Sequence, residues 1–139
     1  MMFKNILLAS DGSAHSLRAA EKAIGLAKLH NGKIDVVYSI DGSTSKSDVL
    51  TNNSKYEVEK KRKEKLAPVV NLLEKEAIAY QVHMIHGEPG PAVVDFANKG
   101  NFDCVVVGSR GLNKLQTMVL GSVSHKIAKR VNVPVLIVK

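Results

Sequence analysis

The feature that most constrains the fold of this chain is the alternation of short apolar runs with segments of helical period. Three of the runs are rich in consecutive Val, Ile and Leu residues, which is typical of strands that are covered on both faces. The predicted strands are Phe3–Ala9, Lys33–Ile40, Ala79–Ile85, Asp103–Val107 and Pro134–Val138. Parallel strands joined by helices produce such a pattern, so we expect an α/β protein.

Four segments between these strands carry apolar residues at a period near 3.6, as amphipathic helices do. Their apolar stripes begin at Leu17, Leu66, Ala92 and Leu120. Pro68 interrupts the second stripe, which predicts either a kink or a helix that restarts with Pro68 in its first turn. The resulting order β-α-β-α-β-α-β-α-β predicts one doubly wound, Rossmann-like parallel sheet with helices on both faces.

The composition excludes several classes of protein. A chain of 139 residues with 45% hydrophobic residues is expected to form one domain over residues 1–139. Its one cysteine, Cys104, excludes an intramolecular disulfide framework and a multi-cysteine zinc site, and we expect it to be a small core residue. The apolar runs are far shorter than the ~20 residues of a membrane span. Because the start of the chain lacks a signal-peptide cleavage pattern, we expect a cytoplasmic protein without a membrane partner.

The basic charge is concentrated near the end of the chain. Lys and Arg number 20 and Asp and Glu number 13, which gives a net charge of +7, yet residues 104–139 contain six bases and no acid. Three of these bases, Lys126, Lys129 and Arg130, are expected on the exposed side of the fourth helix, where the last two also complement the helix dipole. This segment therefore favours an anionic ligand over a cationic one.

A second basic run, Lys60–Lys65, raises the question of nucleic-acid binding. Glu57, Glu59 and Glu64 are interleaved with it, which favours a solvated helix face. Aromatic residues that would stack on bases are scarce, and no DNA- or RNA-binding motif is present. We therefore expect no nucleic-acid partner.

The loop after the fourth predicted strand carries a glycine pattern at the edge of the sheet where α/β proteins bind ligands. Gly108 and Gly111 are followed, nine residues later, by Gly121 and Ser122, which gives G-x2-G-x9-G-S. Such glycines let backbone N–H groups face a ligand, and the predicted helix start at Gly121 favours an anion. The pattern differs from the P-loop and the dinucleotide fingerprint. It predicts phosphate binding, unless the glycines serve only a tight turn and close helix packing.

These residues resemble the signature of the ATP-binding branch of the universal stress protein family, G-x2-G-x9-G-(S/T). All fixed positions match, and Asp11, Gly87 and the final VPVLIVK also fit the family pattern. The resemblance covers the whole chain. It implies the adenine nucleotide alpha hydrolase-like sandwich with strand order 3-2-1-4-5, and a homodimer formed through the last strand.

The resemblance also implies a site for ATP. The residues implied to hold its phosphates and ribose are Gly108, Arg110, Gly111, Gly121, Ser122, Val123 and Ser124. Asp11 would approach the ribose or a phosphate-bound Mg²⁺, although Asp is also a common turn former in a segment such as Ser-Asp-Gly-Ser. The adenine would meet the end of the second strand at Ser39, and relatives often have His-Val where this chain has Tyr38-Ser39. Ala9 and Val107, at the ends of their strands, complete the expected site.

Three functions remain open at this point. The resemblance favours an ATP-binding stress-response module whose nucleotide occupancy regulates conformation or the binding of an unidentified protein partner. The alternatives are a slow Mg²⁺-dependent ATPase or phosphotransferase and a nucleotide-free protein-interaction module. Hydrolysis requires a base or water-positioning group near the γ-phosphate, and residues 104–139 offer no carboxylate and one histidine, His125. We expect no catalytic residue, with His125 and His15 on helix surfaces.

Overall fold

A computed structural model describes residues 3–11, 14–40, 55–109 and 121–139, and these contain one parallel sheet of five strands. The strands are β1 (Asn5–Ala9), β2 (Lys33–Ile40), β3 (Tyr80–His86), β4 (Cys104–Gly108) and β5 (Val135–Val138). Their order is β3-β2-β1-β4-β5, and every neighbouring pair is parallel. The predicted fold class and strand order are confirmed.

Helices cover both faces of this sheet. They are α1 (Ala14–His30), α2 (Lys55–Lys75), α3 (Pro89–Lys99) and α4 (Ser122–Arg130). Helices α1 and α2 pack on one face through residues such as Ile24 and Leu73, whereas α3 and α4 cover the other face. None of the helices in the described ranges is both long enough and apolar enough to cross a membrane.

The central strand β1 shows why the apolar runs are continuous. Ile6 and Leu8 belong to the core beneath α1 and α2, and Leu7 between them belongs to the core beneath α3 and α4. All three side chains are fully buried. Because successive side chains of a strand point to opposite faces, a strand that is covered on both faces needs an apolar residue at every position.

Helix α2 continues through Pro68, so the interpretation that the helix restarts at this residue is wrong. Proline lacks an amide hydrogen, and the helix therefore loses one backbone hydrogen bond at this position. Pro68 itself is exposed, whereas Val69 and Leu73 are buried against the sheet. This packing holds the helix together across the proline.

A carboxylate and an imidazole meet within the sheet, on the face that α3 covers. Asp35 of β2 is 8% exposed, and one of its carboxylate oxygens lies 2.9 Å from Nε2 of His83 on β3. The imidazole ring of His83 also packs against Phe96 of α3, with ring centroids 5.0 Å apart. A buried carboxylate needs such a partner, because removing it from water unpaired costs a large free energy.

Candidate functional site

The carboxyl ends of three adjacent strands bring the predicted site residues to one edge of the sheet. Ala9 at the end of β1 pairs with Val37 of β2 on one side and Val107 of β4 on the other. Neighbouring strands lie about 4.8 Å apart, so the segments that leave these strands start close together. The structure therefore gathers Ala9, Asp11, Ser39, Val107 and Gly108 at this carboxyl edge.

Ala9 and Val107 do not direct their side chains toward solvent at this edge. Ala9 is 8% exposed and Val107 is 5% exposed, and both belong to the core beneath α3 and α4. Gly108 ends β4 in register with Val138 of β5. Any contact that these residues make with a ligand must therefore come chiefly from their backbone groups.

The carboxylate of Asp11 is fixed by the first turn of α1. The hydroxyl of Ser16 donates a hydrogen bond to Oδ1 of Asp11 at 2.6 Å and accepts one from the Asp11 amide at 2.9 Å. This reciprocal arrangement ties Asp11 to helix α1 and holds the carboxylate at the carboxyl edge. Asp11 thus has a structural role here, and its contact with a ligand stays a prediction.

The hydroxyl of Ser39 joins the ends of β2 and β3. It donates a hydrogen bond of 2.8 Å to the carbonyl of Gly87, whose amide donates one of 2.9 Å to the carbonyl of Ile40. Gly87 has a φ of +135°, which strongly favours glycine at this position. Because the hydroxyl proton of Ser39 is already donated, this residue offers a ligand its backbone and the remaining lone pairs of its oxygen.

The amino end of α4 lies at the same edge and is anchored to the end of β4. The amide of Gly121 donates to the carbonyl of Ser109 at 2.8 Å, and the buried hydroxyl of Ser124 donates to the carbonyl of Gly108. The resemblance implies that Ser124 contacts the phosphates, but in the structure its hydroxyl already donates a hydrogen bond to the carbonyl of Gly108. Ser122, in contrast, has an exposed side chain.

Helix α4 begins directly after Gly121, and this N-cap residue has no side chain that could cap the helix. The hydrogen bond from the His125 amide to the Gly121 carbonyl, at 2.9 Å, is the first of the helix. The amides of Ser122, Val123 and Ser124 therefore have no partner within the helix itself. Such a helix end, with its partial positive charge, suits a phosphate group.

Two residues of the predicted phosphate set, Arg110 and Gly111, lie outside the described residues. The segment 41–54 that follows β2 also lies outside them. The remaining predicted residues are all at the carboxyl ends of strands or in the first turn of α4. The sequence therefore predicted the edge of the sheet at which these residues lie, and their contact with a ligand stays a prediction. It missed the roles of Ser16 and Gly87 in holding that edge.

Three other sequence predictions about reactive side chains have an outcome in the structure. His15 is 6% exposed, with Nδ1 against the guanidinium of Arg18, so its expected place on the helix surface is wrong. His125 is exposed, as predicted. Cys104 is buried, as predicted, and burial raises the pKa of its thiol. A raised pKa lowers the thiolate fraction, which makes Cys104 a poor nucleophile.

A cavity of about 570 Å³ lies at the opposite edge of the sheet, near the amino ends of β1 and β2. Its lining includes Lys4, Lys28 and Lys33, together with Glu76, which forms an ion pair with Lys28. Helices α1 and α2 end at this edge, so their carboxyl-terminal carbonyls are directed toward it. These carbonyls and the carboxylate of Glu76 repel an anion such as a polyphosphate. The amino end of α4, in contrast, attracts one.

Comparison with known proteins connects this geometry to one family. A sequence model described as the universal stress protein family matches residues 2–139. Universal stress protein YxiE of Bacillus subtilis is 35% identical over 151 residues, which cover 99% of this chain and all of YxiE. Stress response protein NhaX, also of Bacillus subtilis, is 31% identical, with 96% of each chain covered.

Solved structures share the architecture. Hypothetical protein MJ0577 superposes with a TM-score of 0.84 at 27% identity, covering 100% of this chain and 97% of its own. The universal stress protein from Archaeoglobus fulgidus, solved in complex with dAMP, superposes with a TM-score of 0.73 at 25% identity, with both chains covered in full. The similarity extends over the whole sheet and all the described helices.

Proposed function

We propose that this chain, which belongs to the universal stress protein family, binds an adenine nucleotide at the carboxyl edge of its sheet. The phosphates would lie at the uncapped amino end of α4, against the backbone of Gly121 and Ser122. The base would lie toward the end of β2, near Ser39. The Archaeoglobus fulgidus relative, which was solved with dAMP, supports an adenine nucleotide as the ligand class.

The observation that carries this proposal is the position of α4. Its first amides lack partners within the helix, its N-cap residue Gly121 has no side chain to cap them, and hydrogen bonds to Gly108 and Ser109 hold the helix end at the strand ends. An anion at this position would accept from these amides and interact favourably with the helix dipole. The glycine pattern and the absence of acids in residues 104–139 are consistent with an anion there.

The working ligand in this proposal is ATP, and Asp11 would help to hold a Mg²⁺ ion that accompanies it. Arg110 would add a cation that stays charged at every physiological pH. Nucleotide occupancy would regulate the conformation of a cytoplasmic protein or its binding to a protein partner. We propose binding without efficient hydrolysis, since residues 104–139 provide no carboxylate that would activate water at a γ-phosphate.

Calorimetric titration of the purified chain with ATP, ADP, AMP and adenosine tests the proposal. We expect saturable binding with one nucleotide per chain, and no comparable binding of GTP. Chromatography of a heat-denatured extract shows whether the purified protein already carries nucleotide, which must be removed first. Absence of both bound nucleotide and titratable binding would refute the proposal and favour the alternative of a nucleotide-free interaction module.

Strand β5 supports a further proposal, that two copies of the chain associate through it. It is the last strand of the sheet order and pairs on one side with β4. Leu136 at its centre is 38% exposed, although strand edges of monomers are usually protected by charge or irregularity. An apolar edge of this kind is stabilised when it is covered by a second copy.

We expect a dimer in sedimentation equilibrium at micromolar concentration, and a monomer for the variant Leu136→Glu, because it places a charge in the contact. Leu29→Glu is the matched control, since Leu29 lies on α1 with 77% of its surface exposed. The control should remain dimeric. A monomeric wild-type chain, or a dimer that Leu136→Glu leaves intact, would contradict the interface.

A further inference from the structure

Lys126 does not lie on the exposed side of α4, where its position in the sequence had suggested. Its side chain is 31% exposed and extends across the start of α3. A Cβ atom built on the buried Gly90 would lie 2.6 Å from Cδ of Lys126 and 3.5 Å from its Cβ. The methylene groups of the lysine therefore occupy the space that the missing side chain of Gly90 leaves open.

The ammonium group of Lys126 is carried to the carboxyl edge of the sheet. Its Nζ lies 3.6 Å from Oε1 of Glu88, the residue immediately before α3. Helices α3 and α4 each follow a strand of one parallel sheet, so both begin at the carboxyl edge. The charge of Lys126 is thus at the same edge as the proposed phosphate site.

Lys126 and Ser122 lie on the same face of α4. They are four residues apart, which makes them neighbours on successive turns, and helical side chains lean toward the amino end of their helix. The side chain of Lys126 accordingly leans toward the amino end of α4, where it crosses Gly90 and reaches Glu88. A phosphate chain that begins at the first turn of α4 and continues toward Glu88 would bring its later phosphates within the range of this long, flexible side chain.

The contact between Lys126 and Glu88 is weak enough to be exchanged. The separation of 3.6 Å is longer than a hydrogen bond, and the side chain of Glu88 is 70% exposed. Ion pairs of this exposed kind contribute little to stability. A phosphate offers more negative charge and several acceptor oxygens, so it competes well for the same ammonium group.

We propose that Lys126 is a specificity-determining residue of the nucleotide site, which leaves Glu88 and binds the terminal phosphates of a nucleoside di- or triphosphate. This inference rests on the proposed function. It assigns to Lys126 the discrimination between ATP and AMP, because a monophosphate held at the first turn of α4 does not extend to the ammonium group.

The exchange also links nucleotide occupancy to the contact between α3 and α4. Glu88 directly follows Gly87, whose carbonyl and amide are hydrogen-bonded to Ser39 and Ile40. With Lys126 on a phosphate, the loop stays fixed to β2 while the start of α3 loses its ion pair with α4. The number of phosphates on the bound nucleotide then determines whether the ion pair at the start of α3 is present.

The variant Lys126→Met tests the proposal, since methionine keeps apolar atoms over Gly90 and removes the charge. We expect its affinity for ATP to fall about tenfold, as for loss of one charge-assisted contact. Its affinity for AMP should change less than about twofold. Glu88→Gln should raise the affinity for ATP, because the competing carboxylate is gone. Lys129→Met, which alters an exposed lysine of the same helix, should leave all these affinities unchanged.

Equal loss of ATP and AMP affinity in Lys126→Met, or no loss for either, would overturn the inference. If Lys126→Met does not fold, Glu88→Gln decides alone. Glu88 is exposed, so this variant should fold, and its affinity for ATP must rise. A wild-type chain that binds ATP and AMP equally well would also overturn it while leaving the proposed function intact. A wild-type chain that binds no nucleotide would instead refute the proposed function on which the inference rests.

Discussion

Replacing Gly121 by Val is expected to remove adenine-nucleotide binding while the chain remains folded. Gly121 directly precedes α4, with φ −62° and ψ 155°, and any L-amino acid adopts this extended conformation. The added side chain would stand beside the amides of the first turn, which have no partner within the helix. A phosphate oxygen must come within about 2.9 Å of an amide nitrogen to accept its hydrogen bond, and a branched side chain blocks this approach.

We expect at least a hundredfold loss of ATP affinity, which corresponds to about 2.8 kcal/mol, measured by calorimetry. Gly25→Val provides the matched control, because Gly25 is an exposed residue of α1 with no atom near the position of its Cβ. Circular dichroism establishes that both variants are folded. Wild-type affinity in Gly121→Val, or an equal loss in both variants, would contradict binding at the start of α4.

The variant Ile127→Ala is expected to lower the free energy of unfolding by about 3 kcal/mol, within the range for deleting a buried isoleucine side chain beyond Cβ. Ile127 is fully buried in the core beneath α3 and α4, together with Leu7 and Val105 of the sheet. The truncation leaves a cavity between α4 and the strands. Since small domains are stable by about 5–15 kcal/mol, this loss is a large part of the total.

Urea unfolding followed by circular dichroism measures this change. The control is Leu29→Ala, which truncates a side chain that is 77% exposed on α1 and should change stability by less than about 0.5 kcal/mol. Loss of packing under α4 should also weaken ATP binding under conditions where the variant is folded. A change below about 1 kcal/mol for Ile127→Ala would contradict the described packing of α4 on the sheet.

The strands were predictable because burial on both faces requires an apolar residue at nearly every position. Within β4, Val105, Val106 and Val107 are consecutive, and their side chains alternate between the two cores. Such a run satisfies only a strand that is covered on both faces. The bounds of β2 are as predicted, and the ends of the other strands differ from the predicted ends by at most two residues, because hydrogen bonding to the neighbouring strand sets each end.

Single polar residues on helices were less predictable. Periodicity assigned both His15 and Lys126 to exposed helix surface, yet His15 is buried beside Arg18 and Lys126 crosses Gly90 of α3. Helical period gives the side of a helix that faces the sheet. It does not give the contact of a side chain with a neighbouring helix, as for Lys126, or the rotamer that buries a side chain such as His15. Both depend on how the helix packs in the folded protein.

The sequence by itself determined the alternation of strands and helices, the burial of the sheet on both faces, and the edge at which the glycine pattern lies. The tertiary structure decided which polar groups are engaged at that edge. Ser39 donates to Gly87, which is 48 residues away in the chain, and Ser124 donates to Gly108, which is 16 residues away. Period and local motif specify an element and its exposed side, because they depend on near neighbours. A hydrogen bond between distant residues forms only when strand register and helix position bring its two groups within about 3 Å.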